Sequence, residues 1–175
     1  PLVEALGKAG QNPDVALQAS RILRGLGTQA RPVAPALVDL VEDPEVSYVV
    51  APAIARLGDV GEEGLAELHR FIERDIQGRY KHALQVRTLR LMGYLRQQKV
   101  AVAPMLVTWT NSALAWRRAG AFHALGELGH MDATVSGALK RGVQDAQPEV
   151  RSEAVEAVGL LKPDKIQFGE LVLEA

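Results

Sequence analysis

Apolar residues recur along this chain at helical spacing, in five segments that superimpose on one another. In the last, AQPEVRSEAVEAVGLLKP, the residues Val150, Ala154, Ala157, Val158 and Leu161 follow at steps of four, three, one and three. That spacing keeps them on one side of a helix with 3.6 residues per turn. The same ladder reads Val15, Ala19, Ile22, Leu23 and Leu26 in the first segment, and Val46, Val50, Ala53, Ile54 and Leu57 in the second. It continues as Leu84, Thr88, Leu91, Met92 and Leu95, then as Arg117, Ala121, Ala124, Leu125 and Leu128, where the first rung is polar. No strand-like alternation competes with it.

The closing leucines lie 31, 38, 33 and 33 residues apart. Periods of that length mark a stacked array, in which no unit buries its apolar face alone and each needs a neighbour to do so. Shorter helical stretches at 33–43, 63–75, 103–111 and 135–145 precede the later ladder segments, and Asp43-Pro44 and Gln147-Pro148 supply a turn and a helix start between them. Gly27, Gly58 and Gly129 fall where a left-handed helix terminus favours a residue without a side chain. The unit is a helical hairpin. The pattern predicts an all-α fold, a right-handed α-solenoid of about five hairpins spanning 1–175 as one array. Its ladder helices lie near 13–27, 45–58, 80–97, 114–129 and 148–162 and line its inner wall.

The strings EVRSEAVEAVGLL at 149–161 and RRAGAFHALGELG at 117–129 resemble the second helix of HEAT-like repeats, especially the bacterial short-HEAT type also found in phycobilisome lyase subunits. VAPALVDLVEDPEV and VAPMLVTW resemble that family's first helix, with its internal proline at Pro35 and Pro104. The resemblance runs from about Pro13 to Pro163. It implies a scaffold or adaptor that holds another macromolecule, and it supplies no active site.

Composition fits thin helical layers: 47% of the 175 residues are apolar and only 5% aromatic. No run of 18 apolar residues exists to span a membrane, and no signal peptide is visible, so a cytoplasmic location is expected, with a periplasmic or membrane-anchored parent left open. The start at Pro1 and the final LVLEA read as those of a fragment. The chain has no cysteine, which excludes disulfides and cysteine-based metal or redox sites.

Charge changes the picture. The net charge is −1, yet residues 76–126 hold Arg79, Lys81, Arg87, Arg90, Arg96, Lys99, Arg117 and Arg118 with no Asp or Glu, a window of +8 against −9 for the rest. Such polarisation draws an acidic partner toward the middle of the chain. It fits a docking site for an acidic protein surface, an anionic headgroup or nucleic acid, and equally a basic solvated face.

The register also picks out positions facing outward from the inner wall. One column holds Arg21, Pro52, Arg90, His123 and Glu156, and another Leu17, Tyr48, Val86, Ala119 and Ser152. With Arg87, Tyr94 and Arg117 alongside, Arg21, Tyr48, Arg90 and His123 form the candidate partner-binding strip, because arginine and tyrosine carry much of the energy at protein interfaces. Tyr48 and Tyr94 serve equally well as packing between hairpins. Pro52, inside a ladder segment, removes one backbone bond and bends the helix. Arg118 and Arg151 share a register position just after the first rung. Asp43 and Asp145 end first helices, so bridges from these arginines to aspartate or helix-end carbonyls are expected between hairpins. Trp109 and Trp116 flank a turn, where they clamp the hairpin or offer a stacking platform for a base.

Motifs for catalysis are missing. His69, His82, His123 and His130 lie in different segments with no HExxH and no acidic cluster at metal spacing, and His123 beside Glu127 reads as a one-turn pair. The glycines of GDVGEEG are followed by acids that repel phosphate. No metal and no cofactor are expected, and no enzymatic activity. The expectation is a noncatalytic scaffold that binds a protein with an acidic surface. The alternatives are a nucleic-acid-binding protein like the HEAT-like DNA glycosylases, against which a pI near 6.5 weighs, and an accessory subunit of a pigment lyase.

Overall fold

In a computed structural model of the protein, the structure describes residues 32–43, 46–74 and 81–162, together with Gln18, Arg21, Ile22, Gly25 and Gln29. Among these the fold is all-α with no strand, and eight α-helices and two short 3-10 turns have defined bounds. The helices are α1 (Ala34–Asp39), α2 (Ser47–Leu57), α3 (Gly61–Glu73), α4 (Lys81–Gly93), α5 (Lys99–Trp109), α6 (Ala115–Leu128), α7 (Ala133–Gly142) and α8 (Pro148–Leu161). The 3-10 turns are Leu40–Glu42 and Arg96–Gln98. Odd-numbered helices are the expected short first helices, and α2, α4, α6 and α8 carry the ladder.

The contacts form two compact units, one ending at Leu91 and one beginning at Met92, so the division falls within α4. In the first, α1 packs on α2 and α3. Its core joins Leu37, Val38 and Val41 to the ladder residues Val46, Val50, Ala53, Ile54 and Leu57 and to Leu65, Leu68, Phe71 and Ile72 of α3. In the second, α6 packs on α5 and α8, and α7 on α5 and α8. Its core contains Met92, Leu95, Val102, Leu106, Trp109, Phe122, Leu125, Leu139 and Val158.

Every rung of the second to fifth ladders is buried except Arg117 and Leu161, which are part-exposed. Thr88, a polar rung, is fully buried, and its hydroxyl donates to the Leu84 carbonyl one turn back at 3.0 Å, so it needs no other partner. Of the first ladder the structure describes Ile22, which is helical but 53% exposed, contrary to its expected burial. Val15, Ala19, Leu23, Leu26 and Gly27 lie outside the described residues, as do Arg79 and most of the segment 13–27.

The ladder ends follow one rule with one departure. Gly58 and Gly129 each adopt a left-handed φ of 67° directly after the last rung, the conformation in which a side chain is costly. Lys162 takes the equivalent position after α8 and accepts φ 48°. In the third ladder the position belongs to Arg96. There the helix ends early, at Gly93 rather than near residue 97, and Leu95 is carried into the core by a turn that leads into the Arg96–Gln98 3-10 segment. Helix α5 starts at Lys99 rather than 103 and runs through Pro104 in its interior, at the loss of one backbone hydrogen bond.

Candidate functional site

One column of polar residues, immediately after the first rung of each ladder, governs how the hairpins are held. It reads Ser47, Gln85, Arg118 and Arg151 in successive ladder helices. Arg118 clamps Asp145, its Nε on Oδ2 at 2.7 Å and its Nη2 on Oδ1 at 2.8 Å, while its Nη1 donates to the Ser112 carbonyl at 2.8 Å and to that of Ala113 at 3.2 Å. One guanidinium thus joins the α5–α6 turn to the end of the next hairpin's first helix. The hydrogen bonds from Arg118, supported by the Gln147 backbone N–H at 2.9 Å, hold the Asp145 carboxyl below the usual carboxylate range, and Asp145 raises the pKa of Arg118.

Gln85 performs the corresponding task in the third ladder by a different route. Its side chain is buried, and its amide nitrogen lies 3.2 Å from the Phe71 carbonyl, 3.1 Å from that of Ile72 and 3.0 Å from that of Arg74. These carbonyls lie at the end of α3, beyond the reach of the helix's own N–H groups. Ser47, fully buried, accepts a hydrogen bond from Arg87 Nη1, which ties the start of α2 to α4. Sequence reading identified the arginines of this column but missed Ser47 and Gln85. The signal available was the register itself, which gives every one of these ladders a polar residue there.

The candidate strip divides between the two units. In the first, Tyr48 is 50% exposed and its hydroxyl makes no hydrogen bond to a described residue. It adjoins Ser47, so the bond from Arg87 brings α4 beside it. Arg90, one turn beyond Arg87 on α4, is exposed and forms no ion pair among the described residues. Pro52, also exposed, has no N–H to offer the Tyr48 carbonyl, which leaves that acceptor without its helical donor at the same surface. Arg21 is helical and exposed.

In the second unit the strip is less open. Tyr94 is 40% exposed, but Arg117 is part-buried with its guanidinium carbon 5.3 Å from the centre of the Trp116 ring. His123 does not pair with Glu127, as its spacing implied. Its Nδ1 lies 3.1 Å from Glu153 Oε2 on α8, and Glu127 instead receives Arg96, whose Nε donates to its carbonyl at 2.9 Å. The geometry favours α8 because α6 and α8 pack side by side, which brings Glu153 within reach. Trp109 is 2% exposed and therefore core, not a platform for a base.

The basic window is thus partly engaged in holding structure, through Arg87, Arg118 and the exposed Arg96, while Arg90 and Lys99 are exposed. A depression of about 300 Å³ at the end of α6 is lined by Arg96, Lys99, Glu127, Gly129 and Leu160, among others. Among the described residues no three His, Asp or Glu side chains converge as a metal site would require, and no helix is long and apolar enough to cross a membrane.

No family model matches this chain, and no curated protein does. Among solved structures it is similar to an engineered protein at 15% identity, covering 91% of this chain and 78% of that one with a TM-score of 0.46. A second engineered protein is 18% identical over 92% of this chain and 48% of that one, with a TM-score of 0.45. A designed armadillo repeat protein in complex with the peptide (KR)4 is 17% identical over 99% and 85% of the two chains, with a TM-score of 0.49. At these identities and scores, fold and function rest on this chain's own residues.

Proposed function

We propose that this chain is a noncatalytic scaffold of the HEAT-like type that grips an acidic segment of another protein. The observation that carries the reading is the surface formed by Tyr48 and Arg90 around the Ser47–Arg87 bond. It offers an exposed aromatic ring and an exposed guanidinium, neither of which bonds to a described residue, on helices linked by a part-buried hydrogen bond. Rigid presentation of tyrosine and arginine lowers the ordering cost of binding, and both residue types combine large contact area with directed hydrogen bonds. No carboxylate occurs between residues 76 and 126 to compete for the arginines within that stretch.

A salt series tests this with two probes, a labelled glutamate-rich peptide and a duplex DNA of matched length. Saturable binding of the peptide, weakened at least tenfold by Arg90→Glu with the melting temperature unchanged, supports the scaffold reading. Tighter binding of the duplex with a steep salt slope replaces it with the nucleic-acid alternative. Arg87 is unsuited to this test because its loss also strips a buried serine of its donor.

A further inference from the structure

Arg87 and Arg90 stand three residues apart on α4, a spacing that makes them neighbours on one face of the helix. Two like charges so placed repel each other, and no described carboxylate offsets them. Arg87 donates Nη1 to the neutral hydroxyl of Ser47, and neither arginine forms an ion pair with a described residue. Other arginines of the chain are treated differently. Arg70 pairs with Glu67, Arg74 with Glu42, Arg96 with Glu127 and Arg118 with Asp145.

The helices that meet at this pair carry no acid of their own. Neither α2 (SYVVAPAIARL) nor α4 (KHALQVRTLRLMG) contains an aspartate or a glutamate. Helix α2 adds a further cation, the exposed Arg56, whose Nη1 lies 3.5 Å from the Pro52 carbonyl oxygen. Ser47 holds Arg87 by one nitrogen, so the guanidinium is fixed in direction while its Nε and Nη2 bond to no described residue. Tyr48, next to Ser47 and half exposed, brings a hydroxyl that bonds to no described residue either.

We infer that this surface binds a phosphorylated serine or threonine side chain within the acidic segment, an assignment that rests on the scaffold reading above and narrows it. A carboxylate carries one charge on two oxygens, and the fork of a single guanidinium satisfies it. A phosphomonoester carries about two negative charges at neutral pH and three acceptor oxygens. It bridges two guanidiniums and offsets the charge of both, which relieves the repulsion within α4. Tyr48 offers a hydroxyl and an aromatic ring at the same surface. The phosphodiesters of a nucleic-acid backbone carry one charge each, which leaves the second arginine of the pair unmatched.

The experiment compares three fluorescent peptides that differ at one central position of a glutamate-rich sequence, with serine, phosphoserine or glutamate there. Anisotropy titrations with the full chain should show the phosphoserine peptide binding roughly tenfold tighter than the glutamate one. Arg90→Gln should erase that difference with the melting temperature unchanged, since Arg90 is exposed and bonds to no described residue. Equal binding of the phosphoserine and glutamate peptides overturns the inference and leaves the scaffold reading standing. A phosphoserine preference that persists in the Arg90→Gln chain overturns it too, by placing the phosphate elsewhere. Displacement of the phosphoserine peptide by an equal concentration of free phosphoserine overturns its assignment to a protein segment, by giving the site to a small phosphate ester. Saturable binding of none of the three peptides removes the scaffold reading, and this inference with it.

Discussion

Arg151 repeats the geometry of Arg118 one hairpin later: in each, Nη1 donates to the carbonyls six and five residues upstream, Ser112 and Ala113 for the one, Asp145 and Ala146 for the other. Each arginine closes the turn that opens its own ladder helix. Arg118 goes further and links its hairpin to the next through Asp145, whose own carbonyl is then held by Arg151. The two arginines therefore form a chain of contacts through a single aspartate.

Breaking that chain should be costly. The side chains of Arg118 and Asp145 are only 16% and 14% exposed. Removing one partner of this part-buried pair leaves the other without its charged hydrogen bonds, so Arg118→Ala and Asp145→Ala should each lower the unfolding free energy by about 1–3 kcal/mol, measured by urea denaturation. The double variant should cost much less than the sum of the two. Additive losses would show that the pair contributes nothing as a pair.

The same aspartate makes stability depend on pH. Hydrogen bonds from Arg118 lower the pKa of Asp145 in the folded state, and those from Thr134 and the Val135 backbone lower that of Asp132, which caps α7. An unfolded Asp titrates at about 3.9, so the folded chain holds fewer protons near that value. The contribution of both groups is complete above the unfolded pKa and is lost as pH falls through the folded values. Melting temperature should therefore be flat above about pH 5 and fall steeply below about pH 4. Asp145→Asn should start lower and fall less.

Gln85 offers a test that separates hydrogen bonding from packing. Gln85→Leu keeps the volume but takes the Gln85 amide away from the last carbonyls of α3, which should cost about 1–3 kcal/mol. Gln85→Glu should be worse, because a carboxylate would face three carbonyl oxygens. Equal stability of the glutamate variant in a thermal melt would refute the capping role.

Identical substitutions at Gly126 and Gly159 should have opposite effects. Gly126→Ala forces α6 away from Ala157 and should destabilise by about 1–3 kcal/mol. Gly159→Ala has room for its methyl group and should stabilise α8 by about 0.5–1 kcal/mol through helix propensity alone. Calorimetric melts of the two variants decide it.

Helix periodicity was enough to place the ladders and to name nearly all of their buried rungs, because burial on one side of a helix is set by spacing within about a dozen residues. It also located the glycine caps and the arginines that reach helix-end groups. Partners farther along the chain were beyond it. Arg87 finds Ser47 forty residues away, and His123 finds Glu153 rather than the nearer Glu127, because which side chains meet depends on which helices lie side by side. Gly126 and Gly159 cannot be told apart from spacing, and only one of them has a backbone against it. Local pattern settles which face of a helix turns inward. Only the packed neighbours settle what that face touches, since contact across helices is a property of three-dimensional placement and leaves no period in the chain.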